Sequence, residues 1–98
     1  MGDRVSISFK HGTEESVTLF NHWGGMTFVA DAQRYADALP RGKRFRPLDL
    51  LEPGTVMVDF IRLITKDLDC VGSSLYLCAT PNDGDNSDNG HHVIDLKD

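Results

Sequence analysis

No stretch of this chain approaches the ~20 consecutive apolar residues of a membrane-spanning helix, so contact with a membrane by that route is not expected. The first residues, Met1-Gly2-Asp3-Arg4, lead straight into an alternating segment without the apolar core of a secretory leader. A cytoplasmic location is the expectation. Cysteine is sparse. Cys70 and Cys78 stand too far apart for a metal knuckle and have no framework around them, so free thiols in a reducing compartment are expected. Basic charge is also short, with 10 Lys and Arg against 15 Asp and Glu. A dedicated nucleic-acid binder carries a broad basic face, and this balance argues against one. The signatures of catalysis are missing as well. Gly24-Gly25 lacks the lysine and the spacing of a phosphate-binding loop. Cys70 follows Asp67-Leu68-Asp69, neighbours that disfavour a thiolate, and Cys78 falls within a strand pattern. With no activated nucleophile, the chain reads as a non-enzyme that calls for no cofactor.

What is present describes one folding unit. Ninety-eight residues, 40% apolar and 26% charged, suit a single domain over 1–98 with one core. Arg4 to Lys10 alternates polar and apolar as a half-buried strand does, and His11 to Glu15 reads as a hairpin loop. Ser16 to Asn21 is the second strand. From Gly25 the period changes. Val29, Ala32, Ala36 and Leu39 share a helical face with Asp31, Arg34 and Asp37 on the wet side, until Pro40 and Gly42 end the helix. Residues 40–54 form an irregular connection tacked down by Leu48, Leu50 and Leu51. A second helix runs from Gly54 or Thr55 to Leu68 and is apolar enough to need cover on more than one side, from the core or from a homodimer partner. Ser74 to Thr80 and His91 to Leu96 read as third and fourth strands, a hairpin around an acidic loop at 81–90.

The sum is an α+β fold, a two-layer ββααββ domain with a four-stranded antiparallel sheet and two helices on one face. Val5, Ile7, Phe9, Val17, Leu19, Leu75 and Leu77 make the inward set, while Ser6, Ser8, Thr18, Phe20, Tyr76 and Cys78 face out.

Three surfaces could carry function. The first is aromatic. Phe20 and Tyr76 stand on an otherwise polar outward face, and His22-Trp23 closes the second strand just before Gly24-Gly25. Aromatic residues dominate interface contacts, so Phe20, His22, Trp23 and Tyr76 are candidate protein-binding residues. The acidic loop belongs with them, since Asp83, Asp85 and Asp88 would steer the chain towards a partner with a basic surface. That loop also offers an alternative, because carboxylates at alternate positions suit a hard divalent cation. The calcium-loop pattern fails, however. Counting from Asp83 the sixth residue is Asp88 rather than Gly, and counting from Asp85 the twelfth is Leu96 rather than Glu. His91 and His92 point to opposite faces of one strand and cannot serve one metal together. The third surface is the basic run Arg41, Lys43, Arg44, Phe45 and Arg46, where cations could meet phosphates and Phe45 could stack on a base. It makes a small nucleic-acid-associated factor the remaining alternative.

Ser16-Val17-Thr18-Leu19-Phe20-Asn21-His22-Trp23-Gly24-Gly25 resembles a segment of small uncharacterised phage and prokaryotic proteins, in which a strand ending in His-Trp-Gly-Gly precedes a helix. Asp88-Asn89-Gly90-His91, before the final strand, is similar to theirs too. The resemblance implies no activity, catalytic residue or cofactor. It implies a mobile genetic element as the source. Short acidic single-domain proteins of that origin, the anti-CRISPR proteins among them, act by binding and blocking a host nucleic-acid-processing complex.

Overall fold

A computed structural model describes residues 2–39, 52–66 and 74–96. The elements run β1 (Val5–His11), β2 (Glu14–Glu15), β3 (Thr18–Asn21), α1 (Gly25–Asp37), α2 (Pro53–Thr65), β4 (Leu75–Cys78) and β5 (His91–Asp95). The α+β class holds, among the described residues as two helices against an open sheet. The sheet itself departs from expectation in its strand count, its pairing and its second face.

The strand expected over Ser16–Asn21 begins only at Thr18, and Glu14–Glu15, read as part of the hairpin loop, pair as a separate strand. β1 pairs antiparallel with β2, Lys10 opposite Glu15, and with β3, Ile7 opposite Leu19. The register slips by one residue between the two pairings, the mark of a β-bulge at Ser16-Val17. Ser16 accounts for it. Its amide donates to the Phe9 carbonyl at 2.8 Å, and its hydroxyl oxygen accepts from the Phe9 amide at 3.0 Å. A side-chain oxygen thus stands where a ladder carbonyl would. The bulge makes five strands of the expected four and turns Val17 outward, 46% exposed, instead of into the core.

The expected hairpin of the last two strands does not form. β4 pairs antiparallel with β3, Phe20 opposite Tyr76, but β5 lies beside β1 and parallel to it, Ser6 opposite His91. The sheet is therefore antiparallel except for this pair, with β5 and β4 at its edges and β1 inside it. To pass from one edge to the other, residues 79–90 cross the face away from the helices. This strap replaces the solvated hairpin loop read from the sequence.

The helical side follows the hydrophobic period. Gly25, at φ +60°, turns the chain from β3 into α1, and its amide donates to the Asp3 carbonyl at 2.9 Å. α1 buries Phe28, Ala32 and Ala36, while α2, opened by Pro53, buries Val56, Met57 and Phe60. Phe9, Phe28, Tyr35 and Phe60 form one cluster with ring centroids 5.2–5.9 Å apart, edge-on or tilted as aromatic quadrupoles prefer. The Tyr35 hydroxyl donates to Asp59 at 2.6 Å, and Arg62 donates to the other carboxylate oxygen at 2.8 Å. These bonds hold the Asp59 carboxyl below its ordinary range. α2 is less enclosed than its composition suggests, for Val58 and Leu63 remain exposed. Leu77, expected inward, is also exposed, and Ile94 and Leu96 complete the core instead.

Candidate functional site

The strap sets the site. Of the expected outward residues, Ser6, Ser8, Thr18 and Phe20 are buried; Gly84 and Asn86 of the strap lie on Phe20 and Ser6. Gly84 is seated on the Phe20 ring so closely that a Cβ would fall 2.7 Å from its Cε2 and Cζ. Tyr76 stacks on Phe20 with centroids 4.9 Å apart and planes 4° from parallel, and its hydroxyl accepts the Asp85 amide at 2.9 Å. Asn86 reaches below, donating to Ser6 Oγ at 2.9 Å and to the Pro81 carbonyl at 3.2 Å. Phe20 therefore braces Tyr76 from beneath and offers no contact of its own.

Most of the strap carboxylates are tied locally. Asp83 accepts the Thr80 amide at 3.2 Å. Asp85 accepts the Ser87 amide at 3.1 Å, and hydrogen bonds from Ser87, then the Arg4 guanidinium, hold its carboxyl below the ordinary range. Arg4 Nε lies 3.0 Å from Asp85 Oδ2, an ion pair whose N–H is not aligned for a hydrogen bond. Asp88 accepts the Arg4 amide at 2.9 Å and its guanidinium at 3.3 Å. Arg4, unremarked in the sequence, is thus the clasp that fastens the strap to β1. Among the described residues no three of His, Cys, Asp and Glu converge so as to hold a metal ion.

Under the strap lies a polar chain that pattern reading missed. Ser8 Oγ donates to Glu15 at 2.6 Å, which leaves it to accept from His91 Nε2 at 3.2 Å. His91 Nδ1 then accepts from Ser6 Oγ at 2.7 Å, and Ser6 accepts from Asn86. The sequence of donors assigns His91 as the neutral Nε2–H tautomer. Burial, above all, lowers its pKa, against the opposing pull of Glu15. Serine, histidine and carboxylate together invite comparison with a hydrolytic triad, but the wiring differs. Ser8 sits between the carboxylate and the imidazole, whereas a triad places the imidazole in the middle, and Ser8 is fully buried. His92 turns the other way and meets the Asn89 carbonyl at 2.8 Å.

The exposed remainder is aromatic and acidic. Trp23 is 60% exposed and packs edge-on against His22 at 4.9 Å. Its backbone is fixed by the Asn21 side chain, which accepts the Trp23 amide at 3.0 Å and ends β3. His22 is close enough to act electrostatically on Asp85, whose amide leads on to Tyr76, 42% exposed. Of the candidate residues, Phe20 and Tyr76 stack, Asp85 bonds Tyr76, His22 and Trp23 follow the end of β3, Asp83 is held at Thr80 and Asp88 at Arg4. The basic run Arg41, Lys43, Arg44, Phe45 and Arg46 lies outside the described residues, as do Leu48, Leu50, Leu51 and Cys70. Compared with protein-family models, curated proteins and solved structures, the chain matches none.

Proposed function

We propose that this protein is a non-enzymatic protein-binding module that docks its aromatic and acidic end on a basic surface of a nucleic-acid-processing complex. The observation that carries the reading is Trp23, largely exposed on a junction whose backbone is fixed by Asn21, just beyond the strand whose Phe20 is stacked on Tyr76. A large apolar side chain held in place before binding loses little conformational freedom on docking. Such residues make interface hot spots. The strap carboxylates Asp83 and Asp85 favour encounter with a basic surface. The Ser8–His91–Glu15 arrangement serves the fold, which also supports a role without catalysis.

An origin in a phage or other mobile element, with an anti-CRISPR-like blocking role, is part of the same proposal. It is supported by the two segments that carry the resemblance, which flank the start of β1. Asp3 donates to the His22 carbonyl at 3.1 Å, and Asn89 donates to the Arg4 carbonyl at 2.9 Å. Trp23 is the sole tryptophan, so its emission reports directly on the surface. A purified host nucleic-acid-processing complex should shift that emission to the blue and lose most of its affinity for Trp23→Ala at unchanged melting temperature. Equal binding by the folded variant would falsify the proposal.

A further inference from the structure

The polar chain under the strap has a direction. The Glu15 carboxylate accepts from Ser8, Ser8 accepts from His91 Nε2, His91 Nδ1 accepts from Ser6, and Ser6 accepts from Asn86 Nδ2. Asn86 Nδ2 also donates to the Pro81 carbonyl. Both hydroxyls are committed, and Nδ1 is the imidazole nitrogen left to take a proton. That same nitrogen already receives the Ser6 hydrogen across 2.7 Å.

A proton on Nδ1 cannot share this space with the Ser6 hydrogen. The imidazolium donates from both nitrogens, so the Ser6 oxygen must accept and its own hydrogen must find another acceptor. Ser6 is fully buried, and the other side chain bonded to its oxygen is Asn86. Asn86 can accept there only by turning its amide over to present Oδ1. The half-turn takes Nδ2 from Pro81 and sets Oδ1 against a carbonyl, which has no hydrogen to give. One amide cannot serve Ser6 and Pro81 once the chain is reversed. Towards Glu15 nothing needs to change, for Nε2 keeps its proton and its bond to Ser8.

We propose that protonation of His91 unfastens the middle of the strap: the reversal passes from Nδ1 through Ser6 to Asn86, and the segment around Asn86 lifts from the outer face. Asp88 and Asn89 stay fastened to Arg4. The lifted part carries Gly84 off the Phe20 ring and the Asp85 amide off the Tyr76 hydroxyl. The charges around the imidazole set the pH rather than the route. Burial opposes the charged form most; Glu15 on β2, 3.9 Å from Nε2, favours it, and His92 opposes it. β1 turns the hydroxyls of Ser6 and Ser8 to the ring, with Arg4 and Lys10 beyond them, and Asp95 lies further along β5. On the strap, Asp85 and Asp88 are directed at Arg4.

NMR of the isotope-labelled full chain between about pH 8 and about pH 5 tests this. The Asn86 side-chain amide and the Gly84 backbone amide should shift with the midpoint of the His91 ring, while Ala32 and Ala36 of α1 hold their positions. His91→Gln cannot take the proton and should leave both strap signals flat, which separates the effect from titration of His22 and His92. Ser6→Ala breaks the relay, so its imidazole should still titrate without Asn86 or Gly84 following. A direct field from the imidazolium would survive that substitution. If Ser6→Ala does not fold, Asn86→Ala removes the far end of the relay, and Gly84 should then ignore the His91 midpoint. Strap signals that stay fixed through the wild-type midpoint overturn the proposal. So do signals that move alike in His91→Gln, that still follow the imidazole in a folded relay variant, or that move together with Ala32 and Ala36.

Discussion

Adding one methyl group at Gly84 tests whether the strap is seated as described. The Cβ of Gly84→Ala would lie 2.7 Å from Phe20 Cε2 and Cζ and 2.9 Å from Cδ2. Carbon atoms pack comfortably at about 3.5–4.0 Å, so roughly 1 Å must be found. Phe20 is poorly placed to give it, being fully buried and stacked on Tyr76. The strap must rise instead, which strains the Asp85–Tyr76 and Asn86–Ser6 bonds, both 2.9 Å. Overpacking of this kind costs about 1–3 kcal/mol. In a domain of this size each kcal/mol moves the melting temperature by about 4–8 °C, so a fall of about 5–20 °C is expected by circular dichroism. Phe20→Leu supplies the control, because leucine has no atoms where Cε2 and Cζ stood. In that background the Gly84→Ala cost should shrink, giving a coupling of about 1 kcal/mol in the double-mutant cycle. An unchanged melting temperature in Gly84→Ala, or strictly additive costs, refutes the seating.

Two further outcomes concern protons. Because burial lowers the His91 pKa, the unfolded chain takes up its proton first, at about pH 6.5. The contribution of His91 is complete above that pH and is lost as pH falls through the folded value, so melting temperature should drop more steeply between about pH 7 and about pH 5 in the wild type than in His91→Gln. Parallel pH profiles would contradict it. Tyr35 moves the opposite way, its phenol pushed well above the ordinary range by burial first and by the Asp59 hydrogen bond second. As pH climbs past about 10 the unfolded chain ionises while the folded one resists, so stability is lost in alkali and Tyr35→Phe should flatten that loss. At neutral pH the same variant should cost about 1 kcal/mol, the value of a half-exposed hydrogen bond to a carboxylate, read from the thermal midpoint.

The helices were the legible part of this fold. Ala32 and Ala36 on one face are local signals, and local signals survive folding, though α2 begins at Pro53, which reads as the end of the connection before it. The sheet was less so, for reasons that rest in single residues. Nothing in the alternation of Ser16 to Asn21 announces that the Ser16 hydroxyl will take a ladder position, because serine fits a strand as readily as a bulge. Pairing of β5 with β1 is a long-range event, and hydrophobic period carries no record of strand order. Residues 81–90 have the composition of a solvated loop, yet the absence of side chain at Gly84 and the amide of Asn86 are what let the strap lie close on Phe20 and Ser6. Trp23 and Tyr76 are exposed on the surface, while Phe20, given the same role from its outward parity, is buried under the strap at Gly84.

The strap also governs where a partner can reach. Helices cover one face of the sheet and the strap covers much of the other, so among the described residues a partner can reach the sheet itself only at its edges and at the Trp23 end.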